Sequence, residues 1–287
     1  MKFQRLIDRY PITSFLVINY TISWTFLYPA YQLILADPNG NLPPIAWFGM
    51  IGGYGPVIAA ILVTRITEGK LGLKHLLNSL LIWKVSYWWY AFVIFVPTLI
   101  YLFSTTISFV FGYPVKSFDL VNGLSSIPIS FLIALPFGPM GEELGWRGYL
   151  LPKMMAKYSA FKSSIFVGLA WGLWHLASFT FPGAALPDFM GVSLLSIGVY
   201  FCYTIAESLV FTFIYLRTKA SVVIAILLHA FFNASSNIQS SFFEGITDKS
   251  HNVLIYCLSI ALTAIVGLIL LSRIIKKEHL PTSNTPL

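Results

Sequence analysis

The stretch SYWWYAFVIFVPTLIYLFSTTISFVF, residues 86–111, runs for 26 positions without a charged side chain or a glycine. About 20 apolar residues are enough to cross roughly 30 Å of hydrocarbon. Inside that layer every backbone N–H and C=O must be satisfied within the protein, which for a run of this length means a helix. Outward from this stretch, comparable runs recur at about 12–35, 45–66, 126–146, 163–181, 191–216, 220–239 and 253–274. Of the 287 residues, 57% are hydrophobic and only 10% are charged, against about 25% charged in soluble domains. So few charges cannot cover a water-facing surface. A soluble enzyme, a nucleic-acid-binding domain and a disordered chain are excluded on that ground. The expected fold is an all-α integral membrane protein, a bundle of about eight transmembrane helices around a polar cavity. It reads as one polytopic domain over residues 1–287, with a short polar tail from about Lys276.

The net charge of +7 sits between the apolar runs. Under the eight-span reading sixteen of the eighteen Lys and Arg residues fall on one side, and only Lys116 and Lys249 on the other. The positive-inside rule then puts both termini in the cytoplasm. The basic start, Met1 to Arg9, precedes a run too long for a signal-peptide core, so that run is read as a retained first span. A compact basic chain without further domains is read as bacterial, in the cell membrane. Cys202 and Cys257 both lie in apolar runs and are expected to act as small hydrophobes. Leu73, Leu76, Leu77, Leu80 and Leu81, flanked by Lys70, Lys74 and Lys84, predict an amphipathic helix. It either lies in the cytoplasmic interface or packs on the bundle. Gly52, Gly53, Gly55 and Pro56 predict close helix packing or a kink.

An ionised side chain at mid-bilayer costs at least about 2.5–3.5 kcal/mol, so the polar residues of the spans carry the functional information. They are Glu142, Glu143, Arg147, His175, Glu207, His229, Asn233 and Asn237. Glu143 and Arg147 are i,i+4 with the acid first, which suits an ion pair. Glu142 points about 100° away, with Trp146 as its own i+4 neighbour, and is left free: a structural acid beside a working one. Two acids at a wet helix end is the plainer alternative. Trp171 and His175 lie one turn apart, and His229 and Asn233 share a face; taken singly, each pair could be ordinary core packing. At about 1.5 Å per residue, His175 lies about 18 Å from Ser163 and His229 about 14 Å from Ala220. Glu142 lies about 24 Å into a span descending from the opposite side by the same rise. Tilt brings the three to one level in the cytoplasmic half. There a carboxylate and a histidine can deprotonate water, while a second histidine and an amide donate to an oxyanion. The set Glu142, His175 and His229 could equally hold Zn2+. Glu207 falls at a similar depth and either borders this site or pairs elsewhere. Neither HExxH nor GxSxG occurs. His75, His251 and His279 are given no role.

Three ordered motifs, Glu142-Glu143 with Arg147, Trp171 with His175, and His229 with Asn233, resemble those of the CPBP family. That family comprises type II CAAX prenyl endopeptidases and bacterial bacteriocin-processing and self-immunity proteins. Its pattern is EExxxR, then FxxxH, then HxxxN or HxxxD, and Trp171 stands where Phe is usual. The resemblance covers about residues 125–240, the motif-bearing core. It implies an intramembrane endopeptidase of the glutamic type, historically classed as a metalloprotease. Glu142 would activate water with His175, His229 and Asn233 would form the oxyanion site, and Glu143 and Arg147 would brace the cavity. No cofactor is favoured, since Asn233 is a poor zinc ligand and a good amide donor; Zn2+ is the alternative. The implied partners are the bilayer and a membrane-associated protein or peptide, prenylated or not, with no nucleic acid. A non-proteolytic scaffold or self-immunity protein is the competing expectation. A transporter is third, since no repeat pairs the two halves.

Overall fold

The computed structural model describes residues 2–36, 48–114, 117–136, 138–179, 188–244 and 248–278. The chain there is helical: α1 (Lys2–Arg9), α2 (Pro11–Ala36), α3 (Gly49–Gly53), α4 (Gly55–Thr67), α5 (Gly69–Asn78), α6 (Tyr87–Val110) and α7 (Leu120–Ala134). Then come α8 (Pro139–Glu143), a π-helical segment Leu144–Leu150, and α9 (Leu151–Met155). The last four are α10 (Ala160–Trp174), α11 (Leu194–Arg217), α12 (Val222–Phe242) and α13 (Lys249–Glu278). Side-chain oxygens cap several of them: Asp119 starts α7, Ser159 α10 and Ser221 α12, and Ser193 forms a capping box with Ser196 on α11. The expected all-α membrane architecture is borne out. Its one departure among the described residues is a two-residue antiparallel pair, β1 (Ser117–Phe118) with β2 (Phe243–Glu244).

Among the described residues all eight apolar runs are mainly helical, but not all on one unbroken helix. Among the described residues α6, α11 and Lys249–Ile274 are each long and apolar enough to cross a membrane. The pair Leu120–Ala134 and Pro139–Met155, bent by 47°, makes a fourth crossing if taken as one span. The run 126–146 is therefore broken, and depth counted along a continuous helix does not hold for Glu142. The break has a local cause. Gly138 takes φ +109° and ψ −77°, a conformation closed to residues with a Cβ, and Pro139 then opens α8 at N1. The run 163–181 also changes character, because α10 stops at Trp174 and His175–Ser178 tighten into a 3-10 turn. The run 45–66 divides at Tyr54, between α3 and α4; residues 45–47 lie outside the described set, as do Lys116 and His279.

Two clusters of buried side chains flank the centre. One joins α1, α2, α4, the π-helical segment and α10 around Phe15, Trp146, Leu150 and Trp171. The other joins α6, α11, α12 and α13 around Phe211, Ile214, Leu228 and Phe232. The glycines of α3 and α4 serve close packing. A methyl added at Gly52 would lie 2.6 Å from Leu27, and a methyl at Gly141 would lie 2.5 Å from the Gly53 carbonyl oxygen. The backbone before the two acids is thereby wedged against α3. On α5, Leu76 is buried and Leu73 half-buried, whereas Leu71 and Leu77 face outward with Lys74. Cys202 and Cys257 are free and point out of the bundle, onto its apolar outer surface.

Candidate active site

Glu142 and Glu143 are adjacent, both buried, and differently partnered. Glu143 Oε1 accepts from Arg147 Nη1 at 2.8 Å and from His229 Nδ1 at 2.7 Å. Arg147 also donates to Ser208 Oγ at 3.4 Å, and its guanidinium lies against the faces of Trp171 and Phe211, at 4.6 and 3.8 Å from their centroids. The i,i+4 ion pair expected between Glu143 and Arg147 is present. It survives although the helix widens to π geometry from Leu144, a local form often found at functional sites.

Glu142 is not free, contrary to the reading of the motif by itself. Its Oε2 accepts from Trp171 Nε1 at 2.6 Å and from Trp146 Nε1 at 3.2 Å. One oxygen is thus held by two indoles, and Oε1 faces Gly138. Trp171 had seemed a mere aromatic substitute for Phe. A phenyl ring has no N–H, so this tryptophan does what Phe could not.

His175 Nδ1 lies 3.0 Å from the Trp171 carbonyl oxygen. A carbonyl only accepts, so Nδ1 carries the proton and Nε2 is the basic atom. The ring is packed edge-on against Trp174 and Tyr200, at 4.6 and 5.1 Å between centroids. His175 is joined to Glu142 through Trp171, which bonds the acid with its side chain and the histidine with its carbonyl. Behind this unit, Tyr20 Oη and Trp24 Nε1 of α2 donate to the Ala170 and Trp174 carbonyls, both at 2.8 Å. No motif marks Tyr20 or Trp24; amphipathic aromatics in a first span are ordinary interface residues, so sequence reading passed them over.

His229 has Nδ1–H committed to Glu143, and its ring stands edge-on to Trp171 at 5.1 Å. Asn233 follows one turn along α12 and is exposed. A single point ties these groups together. A Cβ placed on Gly138 would lie 3.0 Å from Glu142 Oε1, 3.6 Å from Asn233 Nδ2 and 3.9 Å from His229 Cε1. The acid of α8 and the amide and imidazole of α12 thus meet around Gly138, closely enough to crowd any side chain there. Depth arithmetic groups Glu142, His175 and His229 on a premise, a continuous fourth span, that the structure removes; around Gly138 the acid meets His229 and Asn233, and His175 joins through Trp171.

Glu207 on α11 is fully buried, with the Tyr203 hydroxyl, one turn back on the same helix, as its hydrogen-bonding neighbour. It interacts electrostatically with His229, Arg147 and Glu143 and so borders the cluster. Asn237 lies two turns along α12 from His229, where its carbonyl accepts from Ser240 and Ser241. Among the described residues no three His, Cys, Asp or Glu side chains are grouped to hold a metal ion. As placed, Glu142, His175 and His229 are not grouped as a ligand set for zinc.

Residues 124–235, from α7 into α12 and including all three motifs, match the family described as type II CAAX prenyl endopeptidase Rce1-like. This segment resembles that family. The resemblance read from the motifs is borne out, and it extends beyond the Rce1-like segment. The chain is 28% identical over 231 residues to CAAX prenyl protease 2 of Methanococcus maripaludis, covering 78% of this chain and 82% of that protein.

Proposed function

We propose that the chain is a membrane-embedded endopeptidase that hydrolyses a peptide bond of a membrane-associated protein or peptide. The name of the Methanococcus relative suggests a prenylated one. Both termini are assigned to the cytoplasm. The observation that carries the reading is the convergence of Glu142 Oε1, Asn233 Nδ2 and His229 around Gly138. A water on Glu142 Oε1 would give its proton to the carboxylate as its oxygen attacks the carbonyl carbon. His175 Nε2 assists by orienting that water. The negative charge forming on the carbonyl oxygen is met by Asn233 Nδ2, and by His229 Nε2 when the ring carries both protons. Collapse of the tetrahedral intermediate breaks the C–N bond, and the proton held by Glu142 passes to the leaving amine. Water is consumed, one acid and one amine are formed, and no metal takes part in any step.

The test is peptide profiling of purified protein in parallel with a Glu142→Gln variant, each before and after exhaustive chelation. Cleavage by the parent in both conditions, and none by the variant, is the expected outcome. Loss of activity on chelation with recovery on added zinc would instead put Glu142, His175 and His229 into ligand roles. No cleavage of any peptide would favour a non-proteolytic scaffold or immunity protein.

A further inference from the structure

Away from the paired acids, α4, α5, the π-helical segment, α9 and the turn before α12 enclose a cleft of about 500 Å3, within the roughly 300–1,000 Å3 of small-molecule sites. Over the three stretches that wall it, 64–82, 148–156 and 215–220, six Lys or Arg stand against one acid, Glu68. Lys153 and Glu68 are part-exposed at its mouth, Nζ to Oε1 at 2.6 Å, and Nζ also lies 4.9 Å from the centroid of the Tyr149 ring. An ammonium carries three N–H donors, of which Glu68 takes one. Thr64, also in the lining, is 2% exposed, and its hydroxyl has no hydrogen-bond partner among the described residues. Thr67, Thr98 and Thr105 return theirs to the carbonyl four residues back. A buried hydroxyl left unmet is costly, and this one borders open space. The outer face of the same wall fixes its level. Leu71 and Leu77 of α5, with Leu81 and Trp83 just after it, are exposed and interleaved with Lys70, Lys74 and Lys84. Apolar side chains among lysines belong where acyl chains meet headgroups, and the cleft lies directly behind them.

We propose that this cleft binds the phosphoglycerol headgroup of an anionic phospholipid. The phosphate sits at the mouth against Lys153, with the His75 ring as a second donor. The terminal glycerol passes inward, where its hydroxyls meet the second oxygen of Glu68 and the Thr64 hydroxyl. The mixed lining suits this headgroup: phosphate takes only donors, whereas glycerol hydroxyls both give and accept. The excess of Lys and Arg on the walls supplies the attraction to an anionic lipid. A choline headgroup brings no N–H or O–H for Glu68 or Thr64, and phosphatidic acid has no group to reach the Thr64 floor. The acyl chains leave over the exposed leucines of α5. The site is separate from the two acids and does not depend on the hydrolase reading.

The test is native mass spectrometry of the full-length chain in detergent with an equimolar mixture of phosphatidylglycerol, phosphatidic acid and phosphatidylcholine. One phosphatidylglycerol should be retained, at least about fivefold over either competitor. Lys153→Ala should lower that retention at least about tenfold. Thr64→Val, which keeps the shape and removes the hydroxyl, should lower it at least about threefold. The double variant Lys70→Ala/Lys74→Ala, on the outer face of α5, should stay within about twofold of the parent, because diffuse surface attraction is not what selects the headgroup. Retention without headgroup preference, or a loss in the double variant as large as in Lys153→Ala, would overturn the site. Should Lys153→Ala fail to fold, Thr64→Val decides: binding equal to the parent's overturns the proposal as well. Phosphatidylglycerol should also raise the melting temperature of the parent, whereas free glycerol phosphate should not. An equal rise from both would mean a soluble ligand, and the lipid assignment would fall.

Discussion

Side by side in the chain, Glu142 and Glu143 differ only in what surrounds them. Glu143 holds Arg147 and His229 through one oxygen, in a place with no water to replace either contact. Breaking a buried ion pair by removing one partner costs about 3–5 kcal/mol. Glu143→Gln should therefore lower the melting temperature by on the order of 10 °C, at about 2–4 °C per kcal/mol for a protein of comparable size. Glu142→Gln keeps a carbonyl oxygen for the two indoles and should melt within a few degrees of the parent while losing activity. Equal melting of the two variants would contradict this division of labour. Trp171→Phe removes one N–H from the Glu142 carboxylate and leaves the aromatic face against Arg147. A hydrogen bond to a charged group contributes about 1.5–3 kcal/mol, or roughly 10- to 100-fold in rate. We expect kcat to fall by that factor with KM little changed; a variant as fast as the parent would show that Glu142 is held without Trp171.

At the scale of elements, α10 ends where the chemistry begins. The helix stops at Trp174, and the next turn, led by His175, is 3-10. The last carbonyls of a helix lack partners within it, and here Trp24 of α2 supplies one from 150 positions away in the chain. Trp24→Phe should remove one of the hydrogen bonds to the Trp174 carbonyl, at a net cost of about 0.5–1.5 kcal/mol. The turn that aims His175 then loosens. The expected result is a larger fall in kcat than in apparent affinity, at a modest cost in melting temperature. Unchanged kinetics would show that the turn holds itself. The Glu143–Arg147 pair and the face shared by His229 and Asn233 were legible as i,i+4 spacings. The break before α8 was not, because a Pro-Phe-Gly-Pro stretch inside an apolar run is compatible with either a kinked span or two separate helices.

For the whole molecule, the antiparallel pairing of Ser117–Phe118 with Phe243–Glu244 brings the loop after α6 and the loop after α12 to the same face. An even number of crossings between them is required, which agrees with the alternation of Lys and Arg along the chain. Reporter fusions at residues 118 and 249 should accordingly report the side opposite the two termini. A cytoplasmic signal from either would sink the eight-span topology.

The sequence by itself determined the solvent of this protein, its helical class and the residue types of its site. Composition and run length answer to the bilayer alone, and intramembrane charge is too costly to be incidental. It also determined the pairs within one helix, since those depend only on the helical period. Tertiary structure alone decided that His229 leans on Glu143, that Trp171 clamps Glu142, that α2 supports the turn at His175, and that Glu142, His229 and Asn233 meet around Gly138. Each of these depends on which faces of separate helices meet and at what level. A hydrophobic pattern cannot specify that here, because lipid and neighbouring helix are equally apolar, and close packing and buried hydrogen bonds choose between them.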